Sequence, residues 1–320
     1  MAELPFNIDL IRSLAENRTA FLTQVSLFFT FLGEIEGYVL LISLIYVTYD
    51  KKLAFRLAVL TLFAMSLNHI LKTLIMNPRP FISQGEFMDR WAVSAAKARE
   101  LATEYSTPSG HAMAGASFYS YLYANVKSRT AHIGFVMLIL LTGLSRPYLG
   151  VHYLEDVLIG WVVGLAIALF AIRYADRIST LWRKFSYAQQ VAIVTSSSLI
   201  VWLATRELSA WTAGGQPYTF LSYMGLLTGI VVAHPLEMRK LNFDPRSSSV
   251  SRKALRCALS VGTVIGTLLL LDGAFGALSD DASLLGGLLR FVRYATAGIV
   301  GMFIAPLVFV KMGLAGRLAR

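Results

Sequence analysis

Three short segments place charged and nucleophilic side chains at the ends of apolar stretches. They are Lys72 with Arg79-Pro80, then Pro108-Ser109-Gly110-His111, then Ser145-Arg146 followed by His152 and Asp156. A charge within or beside a membrane-spanning helix is costly unless paired or hydrated, so each segment is a candidate for function. The residue types point to phosphoryl chemistry. Lys72, Arg79 and Arg146 offer positive charge, and the two guanidinium forks suit phosphate oxygens. The Ser109 hydroxyl and the Gly110 N–H open a helix, where free N–H groups and the helix dipole attract an anion. His152 and Asp156 share one helical face. A carboxylate on one imidazole nitrogen fixes the tautomer and leaves the other nitrogen free to attack. His111 is the matching general acid for a leaving oxygen. No Asp, His or Cys cluster with metal-ligand spacing accompanies them. The expectation is that positive side chains stabilise the charge, with no cofactor or metal.

The elements that must position these groups are apolar helices. Of 320 residues, 56% are hydrophobic and only 15% charged, against about 25% charged in an average soluble domain. Apolar stretches run over 21–49, 53–76, 109–126, 131–148, 152–173, 188–206, 218–236, 255–273 and 287–311. Crossing the hydrocarbon core takes about 20 residues. The reading is an all-α polytopic membrane bundle of about nine transmembrane helices, with Glu34 and Glu36 kinking or shifting the first. A short interfacial segment is expected over 1–20, with Ile8, Leu10, Ile11 and Leu14 on one face. It lacks the basic start of a signal peptide. A catalytic membrane core follows at 21–175 and an extension of about four helices at 176–320.

Loop charge sets the orientation. Lys51, Lys52 and Arg56, then Lys127 and Arg129, then Arg173 to Lys184, then Arg239 to Arg256, and finally Lys311 to Arg320 form one set of basic loops. These face the cytoplasm by the positive-inside rule. The opposite loops carry Glu207, Asp272, Asp280 and Asp281. Nine spans with the N-terminus outside and the C-terminus cytoplasmic satisfy every loop, and they bring all three charged segments to the outer face. The long outer loop over 77–108 contains Trp91 and a helix-like stretch over 92–101, suited equally to a lid or to an ordinary surface loop.

The net charge of +10 is accounted for by those basic loops, so nucleic acid is not an expected partner. The single cysteine, Cys257, excludes an internal disulfide and reads as a small packed residue. His69 reads as helix packing, His132 as a solvated loop residue, His234 as an interfacial cap, and Asn68 as an interhelical hydrogen bond.

Taken together, the three segments resemble the tripartite signature of the type 2 phosphatidic acid phosphatase (PAP2) superfamily, K-x6-RP, PSGH and SR-x5-H-x3-D. Lys72, Arg79, Pro80, Pro108, Ser109, Gly110, His111, Ser145, Arg146, His152 and Asp156 match it at every position. The resemblance implies a phosphohistidine on His152 oriented by Asp156, protonation of the leaving group by His111, and phosphoryl binding by Lys72, Arg79, Ser109, Gly110 and Arg146. It implies a lipid phosphate as substrate: phosphatidate, a sphingoid phosphate, or a polyprenyl phosphate or diphosphate. Membrane lipids are the expected surroundings, with no obligate protein partner evident. Residues 229–245 and 293–306 faintly resemble the sphingosine-1-phosphate phosphatase branch, although PSGH stands here where that branch is expected to carry PSTH. The nine-span layout is also similar to glucose-6-phosphatases, so a soluble sugar phosphate is the alternative substrate. A non-catalytic scaffold or transporter is the alternative outside enzymes, and the intact motif argues against it. Vanadate-dependent peroxidases share the motif but are soluble. No eukaryotic retention or glycosylation signal stands out beyond Asn17-Arg18-Thr19, a pattern common by chance. The expected location is therefore a bacterial inner membrane with the site toward the periplasm.

Overall fold

The computed structural model describes residues 4–83, 92, 98, 101–102, 104–209, 218–246, 249–279 and 283–318. Among these the regular elements are helical, apart from one isolated bridge between Phe243 and Arg317. In chain order they are α1 (Asp9–Glu16), α2 (Ala20–Leu32), α3 (Ile35–Thr48), α4 (Lys51–Ile75), a helical turn (Pro80–Ser83), α5 (Gly110–Asn125), α6 (Arg129–Tyr148), α7 (Leu154–Trp182), α8 (Tyr187–Ser209), α9 (Tyr218–Leu236), α10 (Val250–Gly276), α11 (Leu284–Ile299) and α12 (Ala305–Lys311). One π-helical turn follows α9 and another precedes α12. Trp91 and most of the helix-like stretch at 92–101 lie outside the described residues, as do Asp280 and Asp281.

Among the described residues, seven helical segments are long and apolar enough to cross a membrane: Lys51–Ser83, Arg129–Tyr148, Leu154–Trp182, Tyr187–Thr205, Thr219–Leu241, Val250–Gly276 and Leu284–Lys311. The first apolar stretch is a pair, α2 and α3, bent by 61° at Gly33-Glu34, where the two glutamates interrupt it. Taken as one broken span it makes an eighth. The stretch expected at 109–126 forms the 16-residue α5, which rises about 24 Å and falls short of the usual spanning length. Large apolar side chains stand out from the helices, among them Phe21 at 74%, Val162 at 70% and Leu270 at 77% exposed. A helix surface of this kind suits lipid, in which every backbone polar group must be satisfied within the helix.

The chain forms two compact units. The first comprises Met1–Tyr38, Phe63–Ile178 and Thr205–Pro217. Its N-terminal segment is pinned by polar contacts: Leu4 N–H donates to Asn77 Oδ1 at 3.1 Å, and Arg18 Nη2 donates to the Tyr148 carbonyl at 2.7 Å. Helix α1 buries Ile11, and α2 is capped by the Thr19 hydroxyl. Two glycines on α7 let it lie flush against α5. A Cβ at Gly164 would sit 2.2 Å from the Met113 carbonyl oxygen, and one at Gly160 would sit 2.8 Å from that of Ser109. Small residues at such crossings allow backbones to touch where lipid supplies no hydrophobic drive for helix association.

The second unit comprises Val39–Leu62, Ser179–Ala204 and Tyr218–Arg320. Trp202, Phe220, Leu221, Met224 and Phe291 form one core cluster within it. Helices α9 and α11 cross as closely as α5 and α7, since a Cβ at Gly229 would lie 2.1 Å from the Ala295 carbonyl oxygen. The buried Lys51 ammonium donates to Glu237 at 3.1 Å and to Asn242 at 2.8 Å. His234 stacks on Phe55 at 3.9 Å.

Candidate active site

All eight residues singled out for chemistry lie in the first unit, and several meet directly. His152 sits in the short connection between α6 and α7, and Asp156 lies in the first turn of α7. His152 Nδ1 is 3.3 Å from Asp156 Oδ2, and its Nε2 is 3.0 Å from Arg79 Nη1. A guanidinium only donates, so Nε2 carries the lone pair and Nδ1 the proton. Ser106 completes the arrangement. Its hydroxyl donates to Asp156 Oδ2, and a lone pair of the same oxygen faces His152 Nδ1 at 3.2 Å. Burial first, and then the charges of Arg79, Arg146 and Lys72, hold the His152 imidazole well below its ordinary range. A neutral imidazole backed by a carboxylate, with its lone pair on Nε2, has the protonation state of a nucleophile.

Asp156 is fully buried, at 0% exposure. Besides Ser106 and His152, it accepts from the Thr107 hydroxyl and from the Tyr153 N–H at 2.8 Å. Its carbonyl oxygen accepts from the Ser109 N–H at 3.0 Å, which ties the start of α5 to the start of α7. Asn77 and Asn68 brace the loop before α5. Asn77 Nδ2 donates to the Thr107 hydroxyl at 3.0 Å, and Asn68 Nδ2 donates to the Pro108 carbonyl at 2.9 Å. Gly110 leaves room for this, since a Cβ there would lie 3.0 Å from Asn68 Oδ1.

The three cations are buried, Arg79 to 1% exposure. Arg79 is held by the Val151 carbonyl at 3.0 Å and the Glu104 carbonyl at 3.1 Å. Lys72 Nζ is 2.8 Å from the Glu104 carboxylate. Arg146 Nη1 donates to the Thr30 hydroxyl at 3.0 Å, and that hydroxyl is 3.1 Å from Ser145 Oγ. Three polar atoms of the candidate site are buried without a hydrogen-bond partner among the described residues: Ser109 Oγ, His111 Nε2 and Arg146 Nε. Leaving such an atom unpaired costs about 1–3 kcal/mol, so the cluster calls for an explanation. A hydroxyl, an imidazole and a guanidinium together suit the oxygens of an anion. Gly33, at the break between α2 and α3, packs against His111, since a Cβ there would lie 2.8 Å from the imidazole Cδ2. Among the described residues, no group of three His, Cys, Asp or Glu is placed to hold a metal ion.

Ser106, Thr107, Glu104 and Thr30 were not singled out by sequence reasoning. Ser106 and Thr107 immediately precede the PSGH segment, and that adjacency was the available signal. His69 contacts Thr205 at 3.0 Å, as expected of a packing histidine. His132 is less solvated than expected: it stacks on Tyr123 at 3.9 Å and its Nε2–H donates to the Val126 carbonyl at 2.6 Å.

Residues 53–179 match the PAP2 superfamily, and residues 221–317 match the PAP2 superfamily phosphatase transmembrane extension. Together the two matches cover more than half of the chain. The chain belongs to the PAP2 superfamily. With its apolar helices and the matched transmembrane extension, this PAP2 chain is an integral membrane protein. It is similar to a dihydrosphingosine 1-phosphate phosphatase of Schizosaccharomyces pombe, 24% identical over 51% of this chain and 42% of the relative. It is similar to sphingosine-1-phosphate phosphatase 1 of Mus musculus, 27% identical over 53% and 41%. A third relative, an undecaprenyl-diphosphatase of Sulfolobus acidocaldarius, is 25% identical over 52% of this chain and 78% of its own. The matches thus span less than half the length of the first two relatives. No solved structure matches the chain.

Proposed function

We infer that the chain is a phosphatase for lipid phosphates, acting through a covalent phosphohistidine on His152. The observation that carries this reading is the His152 imidazole, with Asp156 and Ser106 at Nδ1 and Arg79 at Nε2. The phosphoryl oxygens would take the donors of Lys72, Arg79, Ser109, Gly110 and Arg146. His152 Nε2 then forms a bond to phosphorus as the ester P–O bond breaks, and His111 gives a proton to the departing oxygen. In the second half His111 takes a proton from water, the water oxygen bonds to phosphorus, and the P–N bond breaks. Free phosphate leaves and His152 is neutral again. Asp156 stabilises the positive charge on the imidazole in both halves. The three cations supply the charge stabilisation that a metal provides elsewhere, so turnover is expected to survive chelators.

The named activities of the relatives favour a sphingoid phosphate or a polyprenyl diphosphate over a sugar phosphate. Loop charge supports a site on the face away from the cytoplasm, with nine crossings, the N-terminus outside and the C-terminus inside. In a bacterium that face is the periplasm. The test is phosphate release by purified protein in EDTA from sphingosine-1-phosphate, phosphatidate, undecaprenyl diphosphate and glucose-6-phosphate, with His152→Ala as the blank. Lipid-selective release that vanishes in the variant supports the reading. Release from glucose-6-phosphate alone would transfer it to the sugar-phosphate alternative.

A further inference from the structure

Half of the anion site is answered by a carboxylate of the chain itself. Glu104 Oε2 lies 2.8 Å from Lys72 Nζ and 3.7 Å from Arg79 Nη2. These are two of the three cations assigned above to the phosphoryl group. Among the other groups assigned to the phosphoryl group or its leaving oxygen, Ser109 Oγ, His111 Nε2 and Arg146 Nε are buried without a hydrogen-bond partner among the described residues.

Exposure shows which partner can yield. The Lys72 and Arg79 side chains are 8% and 2% exposed, whereas that of Glu104 keeps 26%. A buried cation cannot give up its anion without a large desolvation penalty, so Lys72 and Arg79 need a negative partner at all times. Glu104 is the most exposed of the three, so releasing its carboxylate costs less than stripping either buried cation of its partner. A carboxylate oxygen and a phosphoryl oxygen offer the same charge-assisted hydrogen bonds to an ammonium and a guanidinium. The two compete for the same donors and cannot share them, because like charges that close repel.

We propose that Glu104 is a stand-in anion: its carboxylate takes the Lys72 ammonium and neutralises the Arg79 guanidinium beside it, and it is displaced when a phosphoryl group enters. This rests on the phosphatase reading of the site and adds a specificity element to it. Free phosphate has only its own charge with which to displace the carboxylate. A phosphate carried on an apolar chain brings binding energy from burial of that chain, and remote binding energy of this kind can drive the exchange. Glu104 thereby weakens the hold on the released product relative to the lipid substrate. An ion pair that merely braced the loop before α5 against α4 would behave in the opposite way, since breaking it would loosen the cations and weaken phosphate binding.

The test is calorimetric titration of inorganic phosphate into the full-length protein in detergent, comparing wild type with Glu104→Gln, Glu104→Ala and Lys72→Met. The proposal expects phosphate to bind the Gln variant about tenfold more tightly or better, a shift of about 1.4 kcal/mol. The Ala variant should tighten in the same direction, which keeps the test decisive if one variant fails to fold. Binding that is unchanged or weaker in the Glu104 variants, with binding lost in Lys72→Met, overturns the stand-in role and leaves the site reading intact. Binding that is the same in wild type and Lys72→Met overturns the site reading, and the stand-in role with it.

Discussion

Asp156→Asn removes one charge at the centre of the proposed site while keeping its shape. During attack on phosphorus the His152 ring becomes cationic, with the Asp156 oxygen 3.3 Å from Nδ1. At an effective dielectric of about 20, a unit charge pair at that distance is worth about 5 kcal/mol. An amide oxygen retains part of this, so about 3–4 kcal/mol of transition-state stabilisation is lost, a factor of roughly 200 to 1,000 in kcat. KM should change little, because the charge that Asp156 answers is absent before attack. The Tyr153 N–H and the Thr107 and Ser106 hydroxyls also donate to this carboxylate. The amide oxygen can take the place of Oδ2, facing the Tyr153 N–H, His152 and Ser106, which leaves the amide NH2 against the Thr107 hydroxyl that already accepts from Asn77, so one mispaired group adds about 1–3 kcal/mol of destabilisation. Steady-state kinetics on the detergent-purified variant, checked for a folded, monodisperse preparation by thermal melting, measures both effects. A folded Asn variant with kcat within tenfold of wild type would refute the assignment of Asp156 as the partner of the nucleophile.

Other consequences follow from the same geometry. Ser106→Ala deletes the hydroxyl that bridges His152 and Asp156, and kcat should fall by about tenfold with KM steady, since a hydrogen bond to a charged carboxylate is worth about 1.5 kcal/mol; steady-state kinetics tests this, and an unchanged kcat would show that Ser106 is a bystander. Gly164→Ala places a Cβ against the Met113 carbonyl and should cost about 1–3 kcal/mol through overpacking, read as a lower melting temperature, whereas Gly262→Ala on α10 meets nothing within 4 Å and should leave it unchanged or slightly raised. The depressed His152 pKa means that the unfolded chain takes up a proton which the folded protein refuses. The contribution of this group to stability is therefore full above about pH 6.5 and is lost as the pH falls below that value toward the folded pKa. Nitrogen NMR of labelled histidine should find His152 still neutral at about pH 6, and a midpoint near 6.5 would contradict the environment described for it.

The charged segments were legible because an apolar chain exposes its exceptions. Lys72, Arg79, Arg146, His152 and Asp156 stand in or beside long hydrophobic runs, where a charge needs a reason. The helices were legible from the same runs, and the break at Gly33-Glu34 from the two glutamates that interrupt one of them. The supporting residues were not legible, because their types are ordinary. Ser106 and Thr107 read as turn residues before a proline, and only folding brings them to Asp156, some 50 residues along the chain. Thr30 sits inside an apolar helix, where a hydroxyl commonly bonds its own backbone, yet it meets Arg146 from 116 residues away. Glu104 belongs to a loop in which carboxylates are common, and its meaning comes from the buried Lys72 and Arg79 beside it. The shortness of α5 was hidden because hydropathy marks where a stretch is apolar, not where a helix starts and stops.

The central claim is the covalent intermediate on His152, and rapid-quench trapping with radiolabelled substrate tests it most directly. The account predicts a protein-bound phosphate that is stable in base and labile in acid, maps to His152, forms and decays at rates consistent with turnover, and is absent from His152→Ala. Turnover without any trapped label, or a label that maps to another residue, would contradict it.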